Sequence, residues 1–428
     1  MNIILIYLPH PYLRQPGSHA PLGLMYVASA LEKHGENVTI KNYTSFHTED
    51  VIKDLPEADV YGITVTSLEL LQSNEFAKSI KDKYPKSIVG LGGPGTFTYE
   101  YVDFNVIDFI CQGDGELTIL DILEDIKKNC LQQKYQGRTV KNLDSLTFPA
   151  RHLLSSNQGG NIFAYNEKYT DGGTTMIISS KGCPFKCSFC SSPYFTSFNK
   201  GVRYRSPQNI YDEIKYIVDD FGIDQFKFCD EMFTSNRKRV FDICNLLEKL
   251  NIAWKASVRV KPFDYEMAKV LKNSGCKEIS FGVESFDNDV LKMLNKKTTN
   301  KDNAKALEIT NKVGIKTRVL FMIRTPGQTK DTVKKNIEWL EKVPYHIIAC
   351  SSFIPLPGSD TWINPDKYNI EILNKNLNDY NFYFYGNPGD DDNIKNIIKI
   401  KNRSLKELNE ESIEFREYLD STGKIHKG

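Results

Sequence analysis

The chain has 428 residues, enough for two or three domains with sizeable cores, and its 55 lysines and arginines balance 54 aspartates and glutamates. That balance gives no general electrostatic reason to expect nucleic acid or an anionic membrane as partner, and no apolar run approaches the length that spans a bilayer. Residues 1–8 lack the basic start and small-residue cleavage site of a secretion signal, so the cytoplasm is the expected compartment, and the nine cysteines, three of them clustered, read as reduced thiols rather than a disulfide framework.

The first part of the chain alternates strand and helix. Residues 2–8 form a short continuous apolar run, which suits a parallel strand buried on both faces. Residues 21–34 read as a helix, with Leu24, Val27, Ala28 and Leu31 at helical spacing and Gly35 as a stop. Further strands are expected at 37–40, 59–65, 87–91 and 106–111, and helices at 74–83 and 116–128. Such alternation builds a doubly wound α/β sheet, which binds ligands outside the carboxyl ends of its strands. Three of those ends are Thr64-Val65-Thr66-Ser67-Leu68, Leu91-Gly92-Gly93-Pro94-Gly95 and Gly113-Asp114-Gly115-Glu116. Their small residues suit either a tight turn or a close approach of backbone to ligand. Residues 141–168, with Pro149 and the polar stretch 155–161, read as an exposed crossing to a second domain.

A second alternation starts at Thr174. Residues 174–179 form a strand leading into Lys181-Gly182-Cys183-Pro184-Phe185-Lys186-Cys187-Ser188-Phe189-Cys190. Cysteine thiolates are the usual ligands of iron–sulfur clusters, and a four-iron cluster given three of them keeps one iron open. A zinc site would need a fourth ligand, and no histidine lies in the run; the nearest upstream, His152, is distant in sequence. Ser206 and Pro207 suit the N-cap and first position of a helix whose Ile210, Ile214, Ile217 and Val218 share a face. Strands follow at 225–229, 255–260, 278–283, 316–323 and 346–353, joined by helices near 238–250, 265–273, 302–312 and 329–342. Six βα-type units result, with the cysteine loop at the carboxyl end of the first strand, where barrel enzymes keep their active sites. Trp254 and Cys276 read as core. Residues 361–428 carry a helix near 405–419, and Gly389-Asp390-Asp391-Asp392 reads as a solvated turn.

The cysteine spacing, with Phe189 just before the third cysteine, resembles the radical S-adenosylmethionine (SAM) superfamily, and six βα units match the partial (β/α)6 barrel of that family. With Pro21-Leu22-Gly23-Leu24 added, the three strand ends resemble the cobalamin-binding domain that precedes the barrel in class B radical SAM methyltransferases and their relatives. The resemblance implies a flavodoxin-like, cobalamin-binding type domain at 1–140, a linker at 141–168, a radical SAM barrel at 169–360 and a small extension at 361–428. It implies a [4Fe-4S] cluster on Cys183, Cys187 and Cys190 whose free iron chelates SAM. SAM contacts would come from Phe189, Asp230, Glu231, Arg259, Glu284, Ser285 and Ile323, with the acidic pair on the amino group unless one of them caps the following turn, Arg259 on the carboxylate or in a surface salt bridge, and Glu284 and Ser285 on the ribose. Cobalamin contacts would come from Thr66, Ser67, Leu68, Gly92, Gly93, Pro94, Gly113, Gly115 and Glu116.

The implied reaction is methyl transfer to an unactivated carbon, with methylcobalamin facing the cluster, a 5'-deoxyadenosyl radical abstracting the substrate hydrogen, and a reducing partner such as flavodoxin or ferredoxin. Radical cyclisation, oxidation or rearrangement without methylation is the alternative. A non-catalytic iron–sulfur protein is disfavoured because electron carriers usually supply four ligands. The sequence departs from the family in three places. It lacks an Asp-x-His-x-x-Gly motif, His10 and His19 being without the required neighbours; it has Gly95 where histidine is frequent; and it has Arg324 where glycine is common. The Arg324 fork suits a substrate carboxylate or phosphate, or a solvent-facing rim.

Overall fold

The computed structural model describes residues 1–9, 20–44, 46, 48–154, 169, 173–380 and 397–425. His10, His19, the stretch 155–161 and Gly389 to Asp392 lie outside the described residues. The chain forms two compact units, one of Met1–Glu167, Gly173–Met176 and Ser197–Arg205, the other of Lys168–Gly172, Ile177–Thr196 and Ser206–Gly428.

In the first unit, β1 (Asn2–Tyr7), α1 (Leu22–Lys33), β2 (Asn37–Asn42), α2 (Thr48–Asp54), β3 (Val60–Thr64), α3 (Leu70–Lys83), β4 (Ile88–Gly92), β5 (Phe109–Gln112), α4 (Gly115–Lys127) and β6 (Lys134–Gln136) follow in order. The sheet runs β2-β1-β3-β4-β5-β6 with parallel pairing throughout. This is the doubly wound order whose topological switch point lies between β1 and β3. Ile3 to Ile6 are all buried because β1 has a strand on each side and helices on both faces, which is why its sequence is apolar without alternation. Strand β6 is an addition to the expected elements, and of its three residues Tyr135 alone is buried. Helix α3 begins at Leu70 rather than at 74, since Leu70 and Ser73 also face the core.

The second sheet runs β14-β13-β12-β11-β10-β7. Its strands are β7 (Gly173–Ile177), β10 (Ile223–Phe228), β11 (Ala253–Val258), β12 (Cys276–Glu284), β13 (Lys316–Ile323) and β14 (Ile347–Ser352); β8 (Ser180–Lys181) and β9 (Arg203–Tyr204) are two-residue strands outside it. Neighbours from β10 to β14 pair in parallel, and the Cys229 amide donates to Ile177 O at 2.8 Å. This is a six-stranded open barrel in sequence order. Its helices are α5 (Ser192–Phe198), α6 (Pro207–Phe221), α7 (Arg237–Leu247), α8 (Tyr265–Asn273), α9 (Asn288–Met293), α10 (Asn300–Lys312), α11 (Thr332–Leu340), α12 (Asp360–Ile363) and α13 (Leu405–Thr422).

Local signals set these helices as expected. Ser206 Oγ accepts from Asn209 N at 3.2 Å with Pro207 at the first position, and Gly222 closes α6 in the left-handed conformation. Trp254 and Cys276 are fully buried, the indole of Trp254 donating to Ser274 O and packing against Phe228 and Phe233. An antiparallel hairpin of β15 (Ile370–Ile372) and β16 (Ile398–Ile400) lies in the C-terminal region.

Candidate functional site

Gly182, at φ 96°, turns the chain out of β8 into the cysteine loop. The loop is pinned by its neighbours rather than by regular structure. Ser188 N donates to Leu294 O at 3.0 Å, Ser188 Oγ to Met293 O at 3.2 Å, Thr361 N to Ser188 O at 3.0 Å, and Cys183 N to Thr196 Oγ1 at 2.9 Å. Cys183, Cys187 and Cys190 are half-buried free thiols. Burial pushes the Cys183 thiol above its ordinary value, and the negative charges of Cys190 and Cys187 add to the effect, which places the three sulfurs within electrostatic reach of one another. Among the described residues no three His, Cys, Asp or Glu side chains are arranged to hold a single metal ion. Three soft sulfur donors in one short loop suit an iron–sulfur cluster that takes its fourth ligand from elsewhere.

The ends of the barrel strands surround this loop with charge. After β10, Asp230 is buried and accepts from Ser179 N at 2.7 Å, Ser179 Oγ at 2.5 Å and Ser180 Oγ at 2.6 Å. Arg239 Nη2 donates to Ser179 O at 2.5 Å from the other side. Asp230 therefore ties the end of the first strand to the second, while Glu231 stays exposed and accepts from Gly182 N at 3.1 Å. After β11, Arg259 is buried with Nη1 donating to Cys187 Sγ at 3.2 Å.

Residue Glu284 ends β12 in a left-handed conformation, φ 64°, where the register to β13 shifts. That conformation costs a residue with a Cβ roughly 1–2 kcal/mol. The side chain so aimed forms a buried ion pair with Lys296 at 3.1 Å, and Gly282 makes room for it, since a Cβ there would lie 2.7 Å from Glu284 Oε1. Lys296 was missed by sequence reading because it sits in a Lys-Lys run that looks solvated; Lys297 is exposed and Lys296 is not. Its Nζ is 6.0 Å from the Phe189 ring centroid, and its charge works against the burial that pushes the Cys190 thiol above its ordinary value.

Two expected positions have other partners. Ser285 is buried, donating through Oγ to Asn336 Oδ1 at 3.0 Å and accepting from Asp287 N at 3.0 Å. Arg324, also left-handed at φ 57°, is buried and donates to Ser412 Oγ at 3.1 Å and to Asn409 Oδ1, both on α13. It is therefore not a solvent-facing rim residue, and these bonds fasten the C-terminal helix. Ile323, the last residue of β13, is buried and lines a small cavity with Cys350 and Phe415.

In the first unit, the predicted positions Thr66, Ser67 and Leu68 follow β3, Gly92, Gly93 and Pro94 end or follow β4, and Gly113, Gly115 and Glu116 follow β5. Gly93, at φ 88°, and Gly95 serve the packing of two loops: a Cβ on them would lie 2.7 Å from Val65 O and 2.4 Å from Thr66 O. Gly92 differs, because nothing lies within 4 Å of where its Cβ would stand. Thr66 is exposed just after β3, the strand whose Thr64 pairs with Gly92, and its hydroxyl and amide donate to Glu69 Oε2 at 2.5 and 2.8 Å. Leu68 and Glu116 are buried, and Gly113 faces Phe198. Small residues and an open, partly polar strand edge fit a large planar ligand at this end of the sheet.

The sequence model of the radical SAM superfamily matches residues 177–340, and that of the B12 binding domain matches residues 14–123. The chain carries both a radical SAM domain and a B12-binding domain. Among its relatives is an uncharacterized methyltransferase of Pyrococcus horikoshii, 29% identical over 367 residues that cover 80% of this chain and 77% of that one. Another is the anaerobic magnesium-protoporphyrin IX monomethyl ester cyclase of Cereibacter sphaeroides, 26% identical over 353 residues, covering 74% of this chain and 56% of the cyclase. Among solved structures, the radical SAM methyltransferase TsrM of Kitasatospora setae, with cobalamin and a [4Fe-4S] cluster bound, aligns at a TM-score of 0.71 over 99% of this chain and 93% of its own. At 14% identity that is a likeness of fold. The radical SAM domain implies SAM with a [4Fe-4S] cluster as cofactors, and the B12-binding domain implies cobalamin.

Proposed function

We propose that this radical SAM protein transfers a methyl group to an unactivated carbon, with Cys183, Cys187 and Cys190 as the cluster ligands. One observation carries the reading: a three-cysteine loop pinned at the carboxyl end of the first barrel strand, in the same chain as a B12-binding domain. When bound, the cluster and SAM supply hydrogen abstraction and cobalamin supplies the methyl group. The chain's own residues prepare the site. Asp230, through Ser179 and Ser180, fixes the strand end from which the loop departs, and Ser188 anchors the loop to the end of α9. Arg259 and Lys296 bring two buried positive charges towards the thiolates, which offsets the cost of holding three negative sulfurs out of water. With Asp230 fully engaged, Glu231 is the carboxylate that meets the amino group of SAM, and Glu284 the one at the ribose. Gly92 and the exposed Thr66 serve cobalamin. A flavodoxin or ferredoxin supplies electrons, and among the described residues no helix is long and apolar enough to cross a membrane.

The likeness to the cyclase supports a second reading, radical cyclisation without methyl transfer. Incubating the reconstituted protein with dithionite and methyl-labelled SAM separates the two. S-adenosylhomocysteine formed only in the presence of cobalamin supports methyl transfer. 5'-Deoxyadenosine alone, whether or not cobalamin is added, supports the cyclase reading.

A further inference from the structure

Arg259 is buried, and a buried charge without a partner of opposite sign is costly. Among the described residues it pairs with no carboxylate. Its guanidinium lies 4.0 Å from the centroid of the Phe185 ring, inside the cysteine loop, its Nη1 donates to Cys187 Sγ at 3.2 Å, and its Nε has no hydrogen-bond partner. Among the described residues, the thiols of that loop are what faces this cation with the capacity for negative charge. We propose that Arg259 is the counter-ion of the cluster thiolates and, through its hydrogen bond to Cys187, raises the reduction potential of the cluster. The proposal rests on the reading of the three cysteines as ligands.

The physical basis is that net charge and hydrogen bonds to the ligating sulfurs set the potential of an iron–sulfur cluster. One added electron makes the cluster more negative, so a cation and a donor on Cys187 stabilise the reduced form more than the oxidised one. Stacking on Phe185 holds the guanidinium plane in place, which a lysine ammonium would not reproduce. This assignment differs from a clamp on the SAM carboxylate, because it acts before SAM binds.

The test compares wild-type full-length protein with R259Q, R259K and C187S, each reconstituted anaerobically, by iron content and by a potentiometric titration followed by electron paramagnetic resonance without SAM. R259Q is expected to keep its iron and to show a reduction equilibrium constant lowered roughly tenfold, about 59 mV for one electron, with R259K in between. If R259Q takes up no iron, R259K decides by the same shift. Wild-type midpoints in variants that retain iron would overturn the proposal, and weakened SAM binding at an unchanged midpoint would do so in favour of the carboxylate clamp. Loss of iron from both variants would also overturn it, since Arg259 would then build the site rather than tune it. Failure of C187S to lower the iron content, or absence of iron from the wild type, would instead strike at the ligand assignment and take the proposal down with it.

Discussion

Replacing Asp230 tests whether this carboxylate is a strand clamp or a SAM ligand. It accepts three hydrogen bonds, from Ser179 N, Ser179 Oγ and Ser180 Oγ, at 2.5–2.7 Å in a buried setting. Hydrogen bonds to a charged group contribute about 1.5 kcal/mol or more each, and Asp230→Ala also leaves the Ser179 amide buried without an acceptor. The bonds share one acceptor and are not additive, so the expected loss is about 3–5 kcal/mol. Asp230→Asn keeps one acceptor oxygen and should lose about 1–2 kcal/mol. Urea unfolding of the metal-free chain, followed by tryptophan fluorescence, reads this directly. Trp254, Trp339 and Trp362 are the only tryptophans and all belong to the second unit, so the signal is not mixed with unfolding of the first. A loss under about 1 kcal/mol in D230A, combined with abolished SAM binding, would refute the clamp argument.

Other substitutions probe the remaining contacts. Removing one partner of the buried Glu284–Lys296 pair, as in Lys296→Met, should destabilise the second unit by about 3 kcal/mol, and K296M with E284Q should recover part of that in a double-mutant cycle. Arg324→Ala should free α13, and at about 2 kcal/mol for its two hydrogen bonds, amide exchange in 405–422 should speed up roughly thirtyfold by mass spectrometry. His346 is held below the ordinary imidazole value by burial, then by Lys316 and Lys424, and its Nδ1 accepts from Thr317 N at 3.1 Å. Between that lowered value and about 6.5 the unfolded chain binds a proton that the folded chain refuses, so its contribution is complete above about 6.5 and is lost as pH falls through the folded value. The residue is only partly buried and keeps much of its surface in solvent, which limits the effect to below about 1 kcal/mol; urea midpoints at pH 8 and pH 5.5 should differ less in H346Q than in wild type.

The strands buried on both faces announced themselves by composition, β1 above all, and the cysteine loop by spacing, because both signals are local in sequence. What could not be read is long-range. Asp230 meets Ser179 across 51 positions, Arg259 meets Cys187 across 72, and Arg324 meets Ser412 across 88. A short acidic pair or a lone arginine at a strand end carries no mark of whether it faces a ligand or another strand. Lys296 carries no mark in the sequence for the same reason: its partner Glu284 is reached because β12 ends in a left-handed turn beside a glycine. Strand β6 and the β15–β16 hairpin are three residues per strand and too short for either periodicity to show.

The most direct test of the account is a metal count on the full chain, reconstituted anaerobically with iron, sulfide and cobalamin and passed through gel filtration. The account predicts about four irons and about one cobalt per chain, with the iron falling away in C183S, C187S and C190S and the cobalt retained. Iron without cobalt would contradict the methyl-transfer reading and leave a radical enzyme of another reaction type.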